Sequence, residues 1–400
     1  MSHPQRGQAA PFASPSAAMR VLASPAFVNR WLNPYNWLLN SHLLEVGVQV
    51  QGAAPWRVLR GQADVWHVHW PDHVFNQRSA ARAALGARAW LHLAREGRRQ
   101  GLKLVWTVHN LRAHDGRHAA LESAFWLEYL PLVDGVIHLS ASGRAAAEAH
   151  FPELIGRPAW VIPHGDYRHE YVTSLDRHAA RRRFEVPSDA PLVLSSGRIR
   201  PYKNVPALLD AFAALADPAA RCLVTGAATD AALRRTIEDG ASRDPRVRLD
   251  LRHLRRRDLA AAHSAADLVV LPYRDILNSG SALLALSLNR PVLVPRRGAL
   301  AELQAQVGDT WVRCYDGDLN AEVLADALVW ARETPRPAEA PLHAFAWPTI
   351  ARAHRAAYAH LVQGASRFPP TAHAEHRNVA RLFSGPPRRL RIGAPGLVGT

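Results

Sequence analysis

Short apolar runs alternate with amphipathic stretches along most of this chain, in the rhythm of a parallel α/β sheet. Runs at 19–23, 46–50, 65–70, 102–108, 135–139 and 160–162 read as strands, and stretches such as 36–46 and 79–97 between them read as helices. Runs that are apolar throughout, and not at every second residue, belong to strands covered on both faces. The first half is therefore predicted to be a doubly wound sheet. A charged, less apolar stretch over 166–190 interrupts the pattern. The alternation then restarts with strands at 191–196, 221–225, 247–251, 268–271 and 292–294, and with helices over 205–216 and near Asp230. In the first of these helices Val205, Leu208, Leu209, Phe212 and Leu215 fall on one face.

Length fits this reading, because 400 residues suit two domains better than one core. The division expected is a disordered lead-in at 1–18, a first Rossmann-like domain at 19–168 and a second at 169–345. A crossover helix at 346–363 and a flexible tail at 364–400 complete it. No apolar run reaches the roughly 18 residues that span a bilayer. The lead-in lacks the apolar core of a secretory signal. Cys222 and Cys314 form neither a metal spacing nor a disulfide framework, which suits a reducing cytoplasm.

The formal net charge of +15 changes the picture. Arginines cluster at 95–99, 177–183 and 252–257, and at Arg388, Arg389 and Arg391. One reading is a solvated arginine-rich surface; another is peripheral contact with anionic lipid headgroups. Charge alone suggests nucleic-acid binding, but no zinc finger, RNA-recognition aromatic motif or basic heptad helix supports it.

Candidate chemistry gathers at the carboxyl ends of the strands, where ligands of such sheets bind. In Ser195-Ser196-Gly197-Arg198-Ile199-Arg200-Pro201-Tyr202-Lys203, Gly197 permits a tight turn, and Arg198 and Lys203 follow the strand directly. In Tyr273-Arg274-Asp275-Ile276-Leu277-Asn278-Ser279-Gly280-Ser281, a hydroxyl-rich turn opens a helix. Fixed cations and free helix N-terminal amides both favour concentrated negative charge, so the two segments are expected to hold a diphosphate. Tyr273 and Asp275 stand at the mouth. In the first half, His67 and His69 share one strand face. No third ligand follows at metal spacing, so contact with an acceptor hydroxyl or the transferred sugar is the better use, as for His109. Asp72 is a candidate general base, with Asp115 as its rival. Pro163-His164-Gly165-Asp166 closes the first domain and is expected to line the cleft. The helix after Asn33-Pro34-Tyr35 either packs on the sheet or receives the acceptor.

These segments resemble the GT-B glycosyltransferases: two facing doubly wound Rossmann-like domains, with a C-terminal helix crossing back to the first. The second half is similar to glycosyltransferase family 4 through Gly197-Arg198 with Lys203, Leu271-Pro272-Tyr273 and Arg290-Pro291-Val292. The His109 strand end, Pro163-His164-Gly165 and the stretch from Phe345 to Ile350 are similar too. The chain departs from that family at the two usual donor-site glutamates, whose places fall on Ile276 and Leu284. Asn33-Pro34-Tyr35, His67-Val68-His69-Trp70-Pro71-Asp72 and Asn278-Ser279-Gly280-Ser281 resemble the β-mannosyltransferases of bacterial exopolysaccharide assembly, family 94. That resemblance implies inverting transfer of mannose from GDP-mannose to a polyprenyl-diphosphate-linked oligosaccharide, with no divalent metal. A retaining enzyme using another nucleotide sugar is the alternative.

Overall fold

In the computed structural model, the described residues are 18–28, 30–31, 33–113, 116–171 and 175–364. The lead-in, most of the tail with its three arginines, and Asp115 lie outside them. One compact unit, running to Val362, holds two six-stranded sheets. The first contains β1 (Arg20–Ser24), β2 (Gln49–Gly52), β3 (Val65–Val68), β4 (Lys103–Val108), β5 (Gly135–His138) and β6 (Ala159–Val161). The second contains β7 (Leu192–Ser196), β8 (Arg221–Thr225), β9 (Val247–Asp250), β10 (Leu268–Val270), β11 (Val292–Pro295) and β12 (Val312–Tyr315). Every pairing between these strands is parallel. Strands β3, β5, β7 and β11 are buried along their whole length, as both-face cover demands.

Strand order fixes where a ligand can sit. The first sheet runs β2-β1-β3-β4-β5-β6 and the second β12-β11-β10-β7-β8-β9. Chain direction across the sheet reverses between β1 and β3 in one and between β7 and β10 in the other. A crevice opens at each reversal, outside the carboxyl ends. Only the second sheet has the dinucleotide-type order; the first has the flavodoxin-like one. Strand β12 was not expected, and β2 begins three residues later than the apolar run at 46–50.

One hydrophobic core runs continuously between the two lobes, from Val21, Leu39 and Val105 to Leu194, Val269 and Val294. The C-terminal helix Trp347–Gly364 is part of it. The helix starts where Trp347 Nε1 donates to the Asp166 carbonyl at 2.7 Å. A Cβ on Gly165 would lie 2.2 Å from the Trp347 ring, so only glycine allows that contact. Farther along, Tyr358 bonds His67 at 2.7 Å and Leu361 packs against Gly135. The helix thus crosses back to the first sheet. The other faces of the two sheets carry separate cores.

Most of the basic clusters are neutralised within the fold. Arg95 pairs with Glu128, Arg98 with Asp134, and Arg183 with Asp258. Arg177 and Arg181 share Asp267, and Arg256 meets Glu170.

Candidate active site

A cleft of about 740 Å³ lies between the lobes. Trp70, Asp72, His73 and Asn110 form one wall; Gly197, Arg198, Gly226 and His253 form part of the other. Asp72 comes from the end of β3 and Gly197 from the end of β7. Both therefore sit at the two sheet reversals.

The second-lobe wall depends on glycine. Gly197 has φ +96° and Gly226 has φ +127°, a region that L side chains rarely adopt. A Cβ on Gly226 would lie 2.1 Å from the Gly197 carbonyl oxygen. A Cβ on Gly197 would reach to 3.3 Å from Lys203 Nζ and 3.7 Å from Ser281 Oγ. Lys203 Nζ itself donates to Ser281 Oγ at 3.2 Å and stands 5.7 Å from the Tyr273 ring centroid. The glycine turn, the ammonium, the serine turn and Tyr273 therefore converge, although Lys203 and Ser281 are 78 positions apart. Burial pulls the Lys203 ammonium down from its ordinary value, with Tyr202 beside it opposing and Arg200 adding to the effect. A buried cation bonded to a neutral hydroxyl gains from an anion. Burial pushes the Tyr273 phenol up to about 12, with the Ser281 and Ser279 hydroxyls beside it pulling the other way. Arg198 is exposed on the cleft wall next to Gly197.

Ser279 caps the helix Gly280–Ser287, its Oγ accepting from the Ala282 N–H at 3.1 Å. Gly280 lies against His164 and Tyr167: a Cβ there would be 3.2 Å from the Tyr167 hydroxyl. Asn278 points elsewhere. Its Oδ1 accepts from Ser140 Oγ of the first lobe at 3.5 Å, beside a cavity of about 40 Å³ that Glu302 also lines. There Glu302 accepts from the Ala141 N–H at 2.9 Å, at the start of the first-lobe helix Ala141–His150. The four-residue turn is thus split between the Lys203 cluster and a cross-lobe contact. Asp275 is exposed. Ile276 and Leu284 pack against the shared core, which leaves no carboxylate at those two places.

On the first-lobe wall, Asp72 is the second residue of the short 3₁₀ turn Pro71–Asn76 and is 6% exposed. Burial, reinforced by Glu122, raises its carboxyl from 3.8 to about 7, against the pull of a backbone hydrogen bond. That is where a general base working near neutrality is most effective. His109 does not line the cleft. Its ring stacks on Trp70 at 4.5 Å, and its Nε2 is 3.1 Å from His69 Nδ1. His69 lies over His67 at 4.2 Å between ring centroids, and His67 bonds both Thr107 and Tyr358 at 2.7 Å. Burial holds His67, His69 and His109 well below the ordinary imidazole value, and His164 and His354 near 4. This is a neutral, aromatic support for the Trp70–Asp72 turn. Tyr35 packs among the same rings, so the helix Tyr35–Glu45 packs on the sheet. Among the described residues, no group of three His, Cys, Asp or Glu is arranged to hold a metal.

Sequence reasoning missed Gly226, His253 and Thr229 on the cleft wall. A glycine directly after a strand, as in Val224-Thr225-Gly226, is the signal that marks the first.

Residues 190–333 match the family model described as glycosyl transferases group 1. The chain is 31% identical over 354 residues to a GDP-mannose:glycolipid 4-beta-D-mannosyltransferase of Xanthomonas campestris pv. campestris (strain ATCC 33913), covering 86% of this chain and 93% of that one. A second Xanthomonas campestris protein of that name is 30% identical over the same length. Among solved structures, Anabaena HepE in complex with UDP and glucose superposes with a TM-score of 0.55 at 16% identity, over 87% of this chain and 98% of that one. Sucrose-phosphate synthase from Thermosynechococcus elongatus gives 0.57 at 17% identity, with the same coverage. At these identities the structural likeness concerns the fold alone.

Proposed function

The chain belongs to the family of GT-B, nucleotide-sugar-dependent glycosyltransferases that contains the two Xanthomonas mannosyltransferases, and on that premise we propose that it transfers mannose from GDP-mannose, with inversion, to a polyprenyl-linked glycan. One observation carries the reading. A single cleft presents a carboxyl poised near neutrality on one wall and the Gly197–Arg198 turn on the other. Inverting transfer requires a base on the acceptor side and positive charge on the leaving-group side, and no covalent intermediate.

In this reading the donor diphosphate lies against Lys203, Arg198 and the Ser279–Ser281 turn. Arg198 and Lys203 offset the charge that grows as the sugar–phosphate bond breaks, so no divalent metal is required. The acceptor hydroxyl approaches from the Trp70–Asn76 side and loses its proton to Asp72. Its oxygen attacks the anomeric carbon from the face opposite the leaving diphosphate. Asp115, outside the described residues, remains the rival base. Arg182, Arg255 and Arg257 are exposed cations with which the protein meets anionic lipid on the cytoplasmic face, where a lipid-linked acceptor of exopolysaccharide assembly is held.

The test is turnover of GDP-mannose against UDP-glucose, with a polyprenyl-diphosphate-linked oligosaccharide as acceptor. The anomeric configuration of the product is read by NMR. A β-mannoside formed only from GDP-mannose supports the reading. Preference for UDP-glucose, or an α-linked product, overturns it.

A further inference from the structure

The helix Gly280–Ser287 presents its first turn to the cleft and runs back to the amino ends of the strands, roughly 12 Å away at 1.5 Å per residue. At that far end lies a separate pocket of about 470 Å³, lined by the residues that lead into β10, β11 and β12: Asp267, Arg290 and Trp311. Arg177, Arg332 and Arg336 also line it. We propose that this pocket binds a phosphate-class dianion, held by Arg290, Arg332 and the Trp311 indole N–H.

Donors outnumber acceptors in this pocket. Arg290 Nε and Trp311 Nε1 are both buried without a hydrogen-bond partner. The one carboxylate in the pocket is already used: Asp267 accepts from Arg177, from Arg181 at 2.8 Å and from the Leu192 N–H at 2.7 Å. Arg336 is also satisfied, donating to the carbonyls of Thr310, Ala331, Thr334 and Trp330. That leaves two buried N–H donors, and the Arg332 guanidinium exposed beside them with no ion pair among the described residues. Buried donors without partners are uncommon and call for an acceptor. Here the surrounding charge selects an anion, and the fork of a guanidinium suits phosphate oxygens. Burial and the neighbouring Arg177 hold Arg290 near 10, so it is still a cation at neutral pH. Nothing in the proposed transfer uses this pocket, which faces away from the cleft.

The test is calorimetric titration of inorganic phosphate into the full chain at constant ionic strength, using wild type, Arg290→Gln, Arg332→Gln and Lys203→Ala. Lys203→Ala silences the cleft and is expected to keep phosphate binding. Arg332→Gln, an exposed position that leaves the fold untouched, is expected to weaken it about fivefold, and Arg290→Gln more than tenfold. If Arg290→Gln fails to fold, Trp311→Phe takes its place. Wild-type phosphate binding in both pocket variants, or its complete loss in Lys203→Ala, overturns the proposal. Flotation with phosphatidylcholine vesicles, with and without phosphatidate, separates the sources. Phosphatidate-dependent flotation lost in Arg332→Gln identifies a lipid headgroup; flotation indifferent to Arg332→Gln identifies a soluble phosphate.

Discussion

Replacing Asp72 with asparagine separates catalysis from stability, because the two are expected to move in opposite directions. The carboxyl is 6% exposed, and burial has raised it from 3.8 to about 7. A group whose folded value lies above its unfolded value contributes most below the unfolded value, and that contribution is lost as pH rises through the folded one. At about 1.36 kcal/mol per pH unit between the two, ionised Asp72 costs the fold about 4 kcal/mol at pH 8. Asparagine keeps the shape without the charge. Asp72→Asn is therefore expected to melt about 5 °C higher than wild type at pH 8, with the advantage vanishing near pH 4. Over the same variant, loss of a general base lowers kcat/KM by roughly 10² to 10⁴, or about 3–5 kcal/mol of transition-state stabilisation. In the wild type, kcat/KM climbs about tenfold per pH unit below about 7 and levels off above it. Differential scanning fluorimetry across pH, paired with initial rates at saturating acceptor, reads all three. If Asp72→Asn melts at or below the wild-type temperature at pH 8, the buried charge has been misjudged. Retention of activity within threefold would move the base to another residue.

Other substitutions probe the opposite wall and the frame. Lys203→Met is expected to lower kcat about 10²- to 10³-fold without lowering the melting temperature, since the lost ammonium was buried at a cost; an unfolded variant would count against the assignment. Arg198→Ala, exposed and without a role in folding, should weaken GDP binding about tenfold in calorimetry. Gly226→Ala forces a Cβ to 2.1 Å from the Gly197 carbonyl and should cost about 2–3 kcal/mol in urea unfolding, with loss of turnover from the displaced Gly197 turn. Because burial holds His164, His263 and His354 near 4, stability that is complete above about 6.5 should drain away as pH falls toward 4; a flat melting temperature over that range would show those rings to be protonated or solvated.

What could be read from residues alone follows from which interactions are local. The apolar runs placed eleven of the twelve strands, most plainly β3, β5, β7, β10 and β11, where burial along the whole length leaves few polar positions to blur the pattern. Strand β12, Val312-Arg313-Cys314-Tyr315, escaped because its four residues include no continuous apolar run. His67 and His69 do share a face, as the two-residue period requires. Their partner Tyr358 is 291 positions from His67, on the crossover helix, so nothing in His-Val-His told structural support from contact with substrate. The same distance problem hid the second use of the serine turn. Asn278 reads as one more phosphate-facing side chain, yet it bonds Ser140, 138 positions away, while Ser281 alone turns to Lys203. Asp72 shows the remaining gap. Its place at a strand end was legible, but a carboxyl near 7 arises from the walls around it, and those walls come from segments that meet only in the fold. Ile276 and Leu284 show the reverse. Their apolar chemistry alone was enough to foresee that no acidic side chain stands at those places, and the core they join is the physical reason they are apolar.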